Sequence, residues 1–290
     1  MSRAGRFSYL AAVAISLSCT ETVRAKSNVI ERNDVQKSSP ASKKEVAFPS
    51  GELTLNGVVY MPKGAGPFPA VLWNHGSWGD PMVAFDHLAP TFTDSGWVFF
   101  GPFRRGQGLS SSAGPYIGDE IERAGQSGGV GAKAAKAVSL LTREHLDDQL
   151  AAFAWLKGQS YVLGKRIAVA GNSFGGIEAV LGAERVPYCA AVNGAGGSMS
   201  WAVAPELRDV MVRAAAASRS PMFLFQAEND FDLSPSRALA ASIAAAGKRA
   251  ELKIYPPYGN SPGEGHNFAW LGTDIWGADV LAFLRQYCGG

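Results

Sequence analysis

Ser173 stands in Gly171-Asn172-Ser173-Phe174-Gly175, directly after the apolar run Arg166-Ile167-Ala168-Val169-Ala170. A serine with glycines two residues to either side, after a strand-like run and before a helix-compatible stretch, is the pattern of a sharp strand–turn–helix elbow. Such a turn lifts the hydroxyl above a sheet edge and aims the N-terminus of the next helix at it. A serine hydroxyl is a poor nucleophile until a base takes its proton. Histidine suits that task, with a carboxylate to hold its tautomer and stabilise the imidazolium. The expected chain order is serine, acid, histidine. Ser173, Asp230 and His266 supply that order.

Asp230 follows the strand-like Met222-Phe223-Leu224-Phe225, where a carboxylate emerges at the same sheet edge as Ser173. Glu228 and Asp232 are close by, but Asp230 has the better distance from the strand end. Asp232 precedes Ser234-Pro235 and is accounted for as a helix-start residue. His266 follows the last strand, behind a glycine-rich loop from Pro256 to Gly265 that shapes a pocket or lets the histidine move. The chain has four histidines. His145 starts a helix and reads as a surface or capping residue, and His87 reads as packing. His75 lies at a strand end ahead of the serine and is expected to support the loop His75-Gly76 by hydrogen bonds.

Acyl chemistry also needs donors aimed at a developing oxyanion. The backbone N–H of Phe174 is one candidate, and the N–H of Ser77, in Trp73-Asn74-His75-Gly76-Ser77-Trp78-Gly79, is the other. Arg104 and Arg105, in Arg104-Arg105-Gly106-Gln107-Gly108, either bind an anionic substrate group or anchor a long loop through acids such as Asp119 or Glu120. The structural role is the preferred reading. Trp78, Tyr116, Trp201, Tyr258 and Phe268 are candidate pocket walls, each equally explicable as packing.

These residues need a sheet with aligned strand ends. Short apolar runs at Pro69–Trp73, Trp97–Phe100, Arg166–Ala170, Cys189–Val192, Met222–Phe225 and Ala250–Tyr255 read as strands buried on both faces. Helical stretches at 82–93, His145–Leu156, Glu206–Ala217, Ser234–Ala246 and Asp274–Gln286 alternate with them. That alternation predicts a mostly parallel central sheet with helices on both faces. Residues 106–143 break the rhythm: the Gly/Ser-rich 106–131 reads as a loop over the site or a partly ordered insertion, with a small helix over 132–142. No internal repeat and no second domain is evident.

Arg3 and Arg6, the apolar Phe7–Leu17 and the small residues near Ala25 read as a cleaved signal peptide over 1–25. A polar leader over 26–45 and a single domain over 46–290 follow. Residues 1–25 include Arg3, Arg6, Arg24 and Glu21; without them 24 basic and 24 acidic residues remain. A neutral surface offers no electrostatic basis for nucleic acid, and no stretch is long enough to span a bilayer. Export to a periplasmic or extracellular compartment would allow Cys189 and Cys288 to form a disulfide, pinning the last helix to the sheet. The alternative is two free thiols.

The set His75-Gly76-Ser77, Arg105-Gly106-Gln107-Gly108, Gly171-Asn172-Ser173-Phe174-Gly175-Gly176, Asp230 and Gly265-His266 resembles the α/β-hydrolase superfamily. It is most similar to the dienelactone hydrolase and prolyl oligopeptidase-like branch. Ala152–Leu156, Tyr161-Val162 and Lys165–Val169 are similar to that branch's approach to the elbow. The resemblance covers roughly residues 50–287. It implies the α/β-hydrolase fold, with Ser173 as nucleophile, Asp230 as acid, His266 as base, and Phe174 and Ser77 at the oxyanion. It implies no metal or organic cofactor. Dienelactone hydrolases carry cysteine where this chain has Ser173, which points away from a dienelactone substrate. Prolyl oligopeptidases add a propeller for which about 265 residues leave no room, which points away from peptides. The expected activity is therefore hydrolysis of a small-molecule carboxylic ester. An acyltransferase or an amide or peptide hydrolase would use the same triad, and a secreted binding protein on the scaffold is the non-enzymatic alternative.

Overall fold

The computed structural model describes residues 42–289. The expected signal peptide, and the leader up to residue 41, lie outside them. Eight strands form one sheet: β1 (Ser42–Ser50), β2 (Leu53–Met61), β3 (Phe68–Asn74), β4 (Val98–Pro102), β5 (Val162–Asn172), β6 (Ala191–Gly194), β7 (Met222–Ala227) and β8 (Ala250–Tyr255). Their spatial order is β1-β2-β4-β3-β5-β6-β7-β8. Only the β1–β2 and β2–β4 pairings are antiparallel; β4, β3, β5, β6, β7 and β8 run parallel. This is the α/β-hydrolase architecture. β1 begins at Ser42, ahead of the expected start near Val46, and pairs Ser42 with Met61.

The strands read as apolar runs because both faces are covered. Side chains alternate across a strand, and the two faces divide accordingly. Leu72, Phe100 and Val169 point into one buried cluster, with Leu146, Val180, Leu207 and Leu239. Their neighbours Trp73, Phe99 and Ala170 point into the other, with Phe85, Phe92, Trp276 and Leu284. The second layer comes from α1 (Met82–Thr93), α7 (Pro262–Leu271) and α8 (Thr273–Cys288). The first comes from α2 (Ile117–Thr142), α3 (Glu144–Lys157), α4 (Phe174–Arg185), α5 (Pro205–Ala217) and α6 (Ser234–Ala245). Cys189 and Cys288 are disulfide-bonded, tying the end of α8 to the approach to β6. Among the described residues no helix is long and apolar enough to cross a membrane.

Three expectations need correcting. The segment 106–143 is a 3-10 turn (Gly108–Ala113) followed by α2, and α2 breaks at Gly129 (φ 72°, ψ −160°). Its halves fold back on each other, since Lys133 bonds Glu122 at 2.5 Å and Lys136 bonds Glu120 at 2.8 Å. The glycines that hid a helical period from the sequence supply the reversal. Arg104 and Arg105 do anchor, but to Glu178 and Asp148 at 2.7 and 2.6 Å, not to Asp119 or Glu120. His145 is fully buried, with neither ring nitrogen hydrogen-bonded, rather than a surface or capping residue.

Burial, reinforced by Arg104, Arg105 and Lys136, lowers the His145 pKa to about 3. The unfolded imidazole takes up a proton near pH 6.5. The unfolded chain thus binds more protons between those values, and stability falls as pH drops through that window. Burial raises the Glu178 pKa, with the Arg104 charge pulling against it, and this acts in the opposite sense, so a variant comparison isolates the histidine. In His145→Leu, the stability lost between pH 7 and pH 5 should be smaller than in wild type by about 2 kcal/mol. Urea midpoints at both pH values check this; equal losses in the two proteins would refute it.

Candidate active site

Ser173 follows β5 and opens α4 with φ 55° and ψ −120°. A non-glycine residue with this backbone is strained, at a cost on the order of 1–3 kcal/mol. Surrounding backbone holds it there: Ser173 N–H donates to Gly194 O at 2.9 Å, and Ile177 N–H donates to Ser173 O at 3.1 Å. The flanking glycines are needed for close approach. A Cβ on Gly175 would lie 2.0 Å from Asn74 O, and one on Gly171 would lie 2.3 Å from Gly175 O.

His266 Nε2 lies 3.0 Å from Ser173 Oγ, and His266 Nδ1 lies 2.9 Å from Asp230 Oδ1. The three residues foreseen from the sequence therefore form one hydrogen-bonded chain with the geometry of a Ser-His-Asp triad. Asp230 is buried, while Ser173 and His266 keep partial access to solvent. The Asp230 carboxylate also accepts from Ser198 Oγ (2.7 Å), Phe231 N–H (2.7 Å) and Gln226 Nε2 (2.7 Å). An ionised carboxylate only accepts, so the proton between it and His266 sits on Nδ1. That leaves the Nε2 lone pair facing the Ser173 hydroxyl. Ser198 is fixed in turn, accepting from Asp232 N–H at 3.1 Å. Asp232 itself makes a turn, its carboxylate accepting from Ser234 N–H at 2.7 Å.

The structure places His266 on α7, not after a long loop. Ser261 Oγ caps the helix by accepting from Glu264 N–H at 3.2 Å, and Glu264 Oε2 accepts from Asn260 N–H at 2.7 Å. Ser261-Pro262-Gly263-Glu264 has the capping-box sequence with proline at the first helical position, the Glu264 carboxylate reaching back to the N–H of Asn260; the glycine content obscured this signal. Asn229 joins this helix to the acid: it donates to Tyr258 O (3.1 Å) and Ser261 O (3.0 Å) and accepts from Tyr258 N–H (2.8 Å). Gly265 packs so closely there that a Cβ would lie 2.6 Å from Asn229 Oδ1. Ser198, Gln226 and Asn229 were not foreseen; only adjacency to Asp230 marks Asn229 in the sequence.

The loop after β3 runs beside the elbow. A Cβ on Gly76 would lie 3.7 Å from Ser173 Cβ. Phe174, first in α4, has an N–H with no intrahelical acceptor. Both segments expected to supply oxyanion donors therefore border Ser173. His75 is buried and binds Gly76 O through Nδ1 at 2.7 Å, as anticipated. Of the candidate walls, Phe268 and Trp201 are buried core residues. Tyr258 packs on Phe268, Trp78 meets Trp270 edge-on, and the Tyr116 hydroxyl donates to Ser77 O. Phe231, which the sequence did not single out, is half exposed and lies edge-on to the His266 ring at 5.7 Å.

A sequence profile described as the dienelactone hydrolase family matches residues 55–275. The chain belongs to this family. Among solved structures it is similar to a protein from Klebsiella pneumoniae assigned as a dienelactone hydrolase, at 20% identity and TM-score 0.62, over 85% of this chain and 99% of that one. It is also similar to the acylaminoacyl peptidase of Pyrococcus horikoshii (14% identity, TM-score 0.63, 90% of this chain) and to dipeptidyl peptidase 4 of Porphyromonas gingivalis (15%, 0.61, 84%). This chain spans 43% and 35% of the lengths of those two peptidases. Among curated protein sequences none matches. At these identities the structural likeness shows the fold. The family and the triad geometry together make this a serine-hydrolase site.

Ser198→Ala removes one of the donors that orient Asp230. We expect kcat to fall roughly ten-fold, the equivalent of one charge-assisted hydrogen bond of ~1.4 kcal/mol, with KM little changed. Steady-state kinetics of folded Ser198→Ala check this, and an unchanged kcat would show that Asp230 is held well enough without Ser198.

Proposed function

We propose that this protein hydrolyses carboxylic acyl bonds through an acyl-enzyme on Ser173. The observation that carries this is the unbroken hydrogen-bonded chain from Ser173 Oγ through His266 to Asp230. In the first half-reaction His266 Nε2 takes the Ser173 proton as Oγ bonds to the carbonyl carbon. The oxygen that gains charge faces the N–H groups of Phe174 and Ser77. The tetrahedral adduct collapses, the bond to the leaving group breaks, and His266 returns the proton to the departing amine or alcohol. In the second half, His266 takes a proton from water, whose oxygen displaces Ser173 and frees the carboxylic acid.

An amide or peptide bond is the reading the solved structures favour, since acylaminoacyl and dipeptidyl peptidases recur among them over most of this chain. This moves weight from the ester that the sequence put first, and from the argument that chain length disfavours peptides. The ester remains a second reading, supported by the family itself, because a lactone is a cyclic ester. Half-exposed Phe231 beside His266 supports an apolar leaving group in either case. We also place the enzyme in an exported compartment, a reading supported by the Cys189–Cys288 bond, since disulfides persist where the surroundings are oxidising.

The test pairs a p-nitrophenyl ester with aminoacyl and dipeptidyl p-nitroanilides, for wild type and Ser173→Ala. We expect wild type to turn over an anilide as well as the ester, and the variant to lose at least about 10⁴-fold in kcat on both. Ester turnover without any anilide turnover would shift the assignment to an esterase. Equal rates in wild type and Ser173→Ala would remove Ser173 from the mechanism.

A further inference from the structure

Behind the loop His75–Gly79, four consecutive backbone carbonyls are each held by residues of 104–116. Gly76 O accepts from the Arg104 guanidinium, Ser77 O from the Tyr116 hydroxyl, Trp78 O from Gln107 Nε2, and Gly79 O from Gly108 N–H. Arg104 is the centre of this clamp. Its side chain is buried, and it also bonds Glu178 Oε2 at 2.7 Å and Gln107 Oε1 at 3.2 Å. Buried ion pairs often contribute little to stability over an apolar replacement. This one is buried from solvent, and its Arg104 end reaches the carbonyl of the peptide that precedes Ser77.

The His75 tautomer adds to the hold. Its Nε2 accepts from Arg104 backbone N–H at 3.4 Å, and Gly76 O lies 2.7 Å from Nδ1, so in the neutral ring the proton is on Nδ1 and is donated to Gly76 O; the 3.0 Å approach of Arg104 Nη2 to Nδ1 is then that of two donors converging on one carbonyl oxygen. Burial, and then the charge of Arg104, keep this imidazole far below its ordinary pKa and therefore neutral. Gly76 O thus accepts two hydrogen bonds, one from each side chain. In a planar trans peptide the C=O and N–H point in opposite directions. Fixing Gly76 O towards Arg104 fixes Ser77 N–H away from it, and the Gly76 backbone itself borders Ser173.

We propose that Arg104 is a positioning residue of the oxyanion site: with His75 it locks the Gly76–Ser77 peptide, so that Ser77 N–H is aimed before substrate arrives. Arg104 does not bind a substrate anion. The guanidinium charge, lying behind the carbonyl end of this peptide, also polarises the N–H towards a better donor. Glu178 balances that charge and keeps the fork in register. This inference rests on the acyl-hydrolase reading for its kinetic consequence, though not for its geometry.

The test uses Arg104→Lys, which leaves Glu178 a cation but loses the planar fork, and the double variant Arg104→Met/Glu178→Leu, which removes both charges and so leaves no buried charge unpaired. Kinetics are expressed per site titrated by a fluorophosphonate, which removes misfolded protein from the rate. We expect kcat to fall about 100-fold in both variants, the scale of one lost oxyanion donor, with KM within about two-fold. A trifluoromethyl ketone, whose adduct with Ser173 carries the oxyanion, should lose affinity by a similar factor, while binding of the carboxylate product should not change. In the ¹⁵N–¹H spectrum the Ser77 amide should shift in both variants. A kcat per titrated site within three-fold of wild type in the double variant would overturn the proposal, as would an unmoved Ser77 resonance. If wild type neither reacts with the fluorophosphonate nor turns over any ester or anilide, the hydrolase reading fails, and the Ser77 resonance alone still decides whether Arg104 positions this peptide.

Discussion

Three backbone segments meet at the elbow with no space for a side chain between them. Asn74 at the end of β3, Gly171 in β5 and Gly175 in α4 approach so closely that a single Cβ would overlap a carbonyl. That contact forces Ser173 into its strained conformation, and the strain is sustained because parallel neighbours grip β5 on both sides. The hydroxyl is therefore raised above the sheet by packing rather than by any property of serine. The same contact brings the loop after β3 alongside the nucleophile. The oxyanion candidates and Ser173 are in this sense one packing unit.

The acid and the base reach that unit from the other half of the sheet. Asp230 is pinned by donors from β7, from the loop after β6, from its own backbone and from α7. Asn229 binds the start of α7 to the acid loop, so the segments that carry His266 and Asp230 are tied together. Asp230 and the start of the helix that carries His266 are thus fixed by hydrogen bonds within the protein. This fits a site whose chemistry depends on orientation more than on unusual residues.

Several parts of this arrangement were open to a reader of the chain. The apolar runs disclosed a sheet buried on both faces, because burial on both sides removes alternation. The glycines around Ser173, and the order Ser173, Asp230, His266, disclosed the triad, because the fold returns each strand end to the same edge. Other parts were hidden. Gly125, Gly128, Gly129 and Gly131 masked the helical period of α2, and Gly263 and Gly265 masked that of α7. Helix-interior glycine is locally unfavourable, so a local reading favours loop; packing of Ile117, Leu140 and Leu141 outweighs that in α2, and the Ser261–Glu264 box does so in α7. His145 was misplaced for a related reason: its environment comes from segments distant in sequence.

The chain alone determined the fold class and marked Ser173, Asp230 and His266, which the structure brings into one hydrogen-bonded chain, because those depend on strand ends and local turn chemistry. Tertiary structure alone decided that Arg104 answers Glu178 and that Ser198, Gln226 and Asn229 hold the acid and its loop. Those contacts join residues 4 to 74 positions apart. Hydrogen bonds of this kind form when packed segments converge, and neither composition nor periodicity records which buried donor will meet which acceptor.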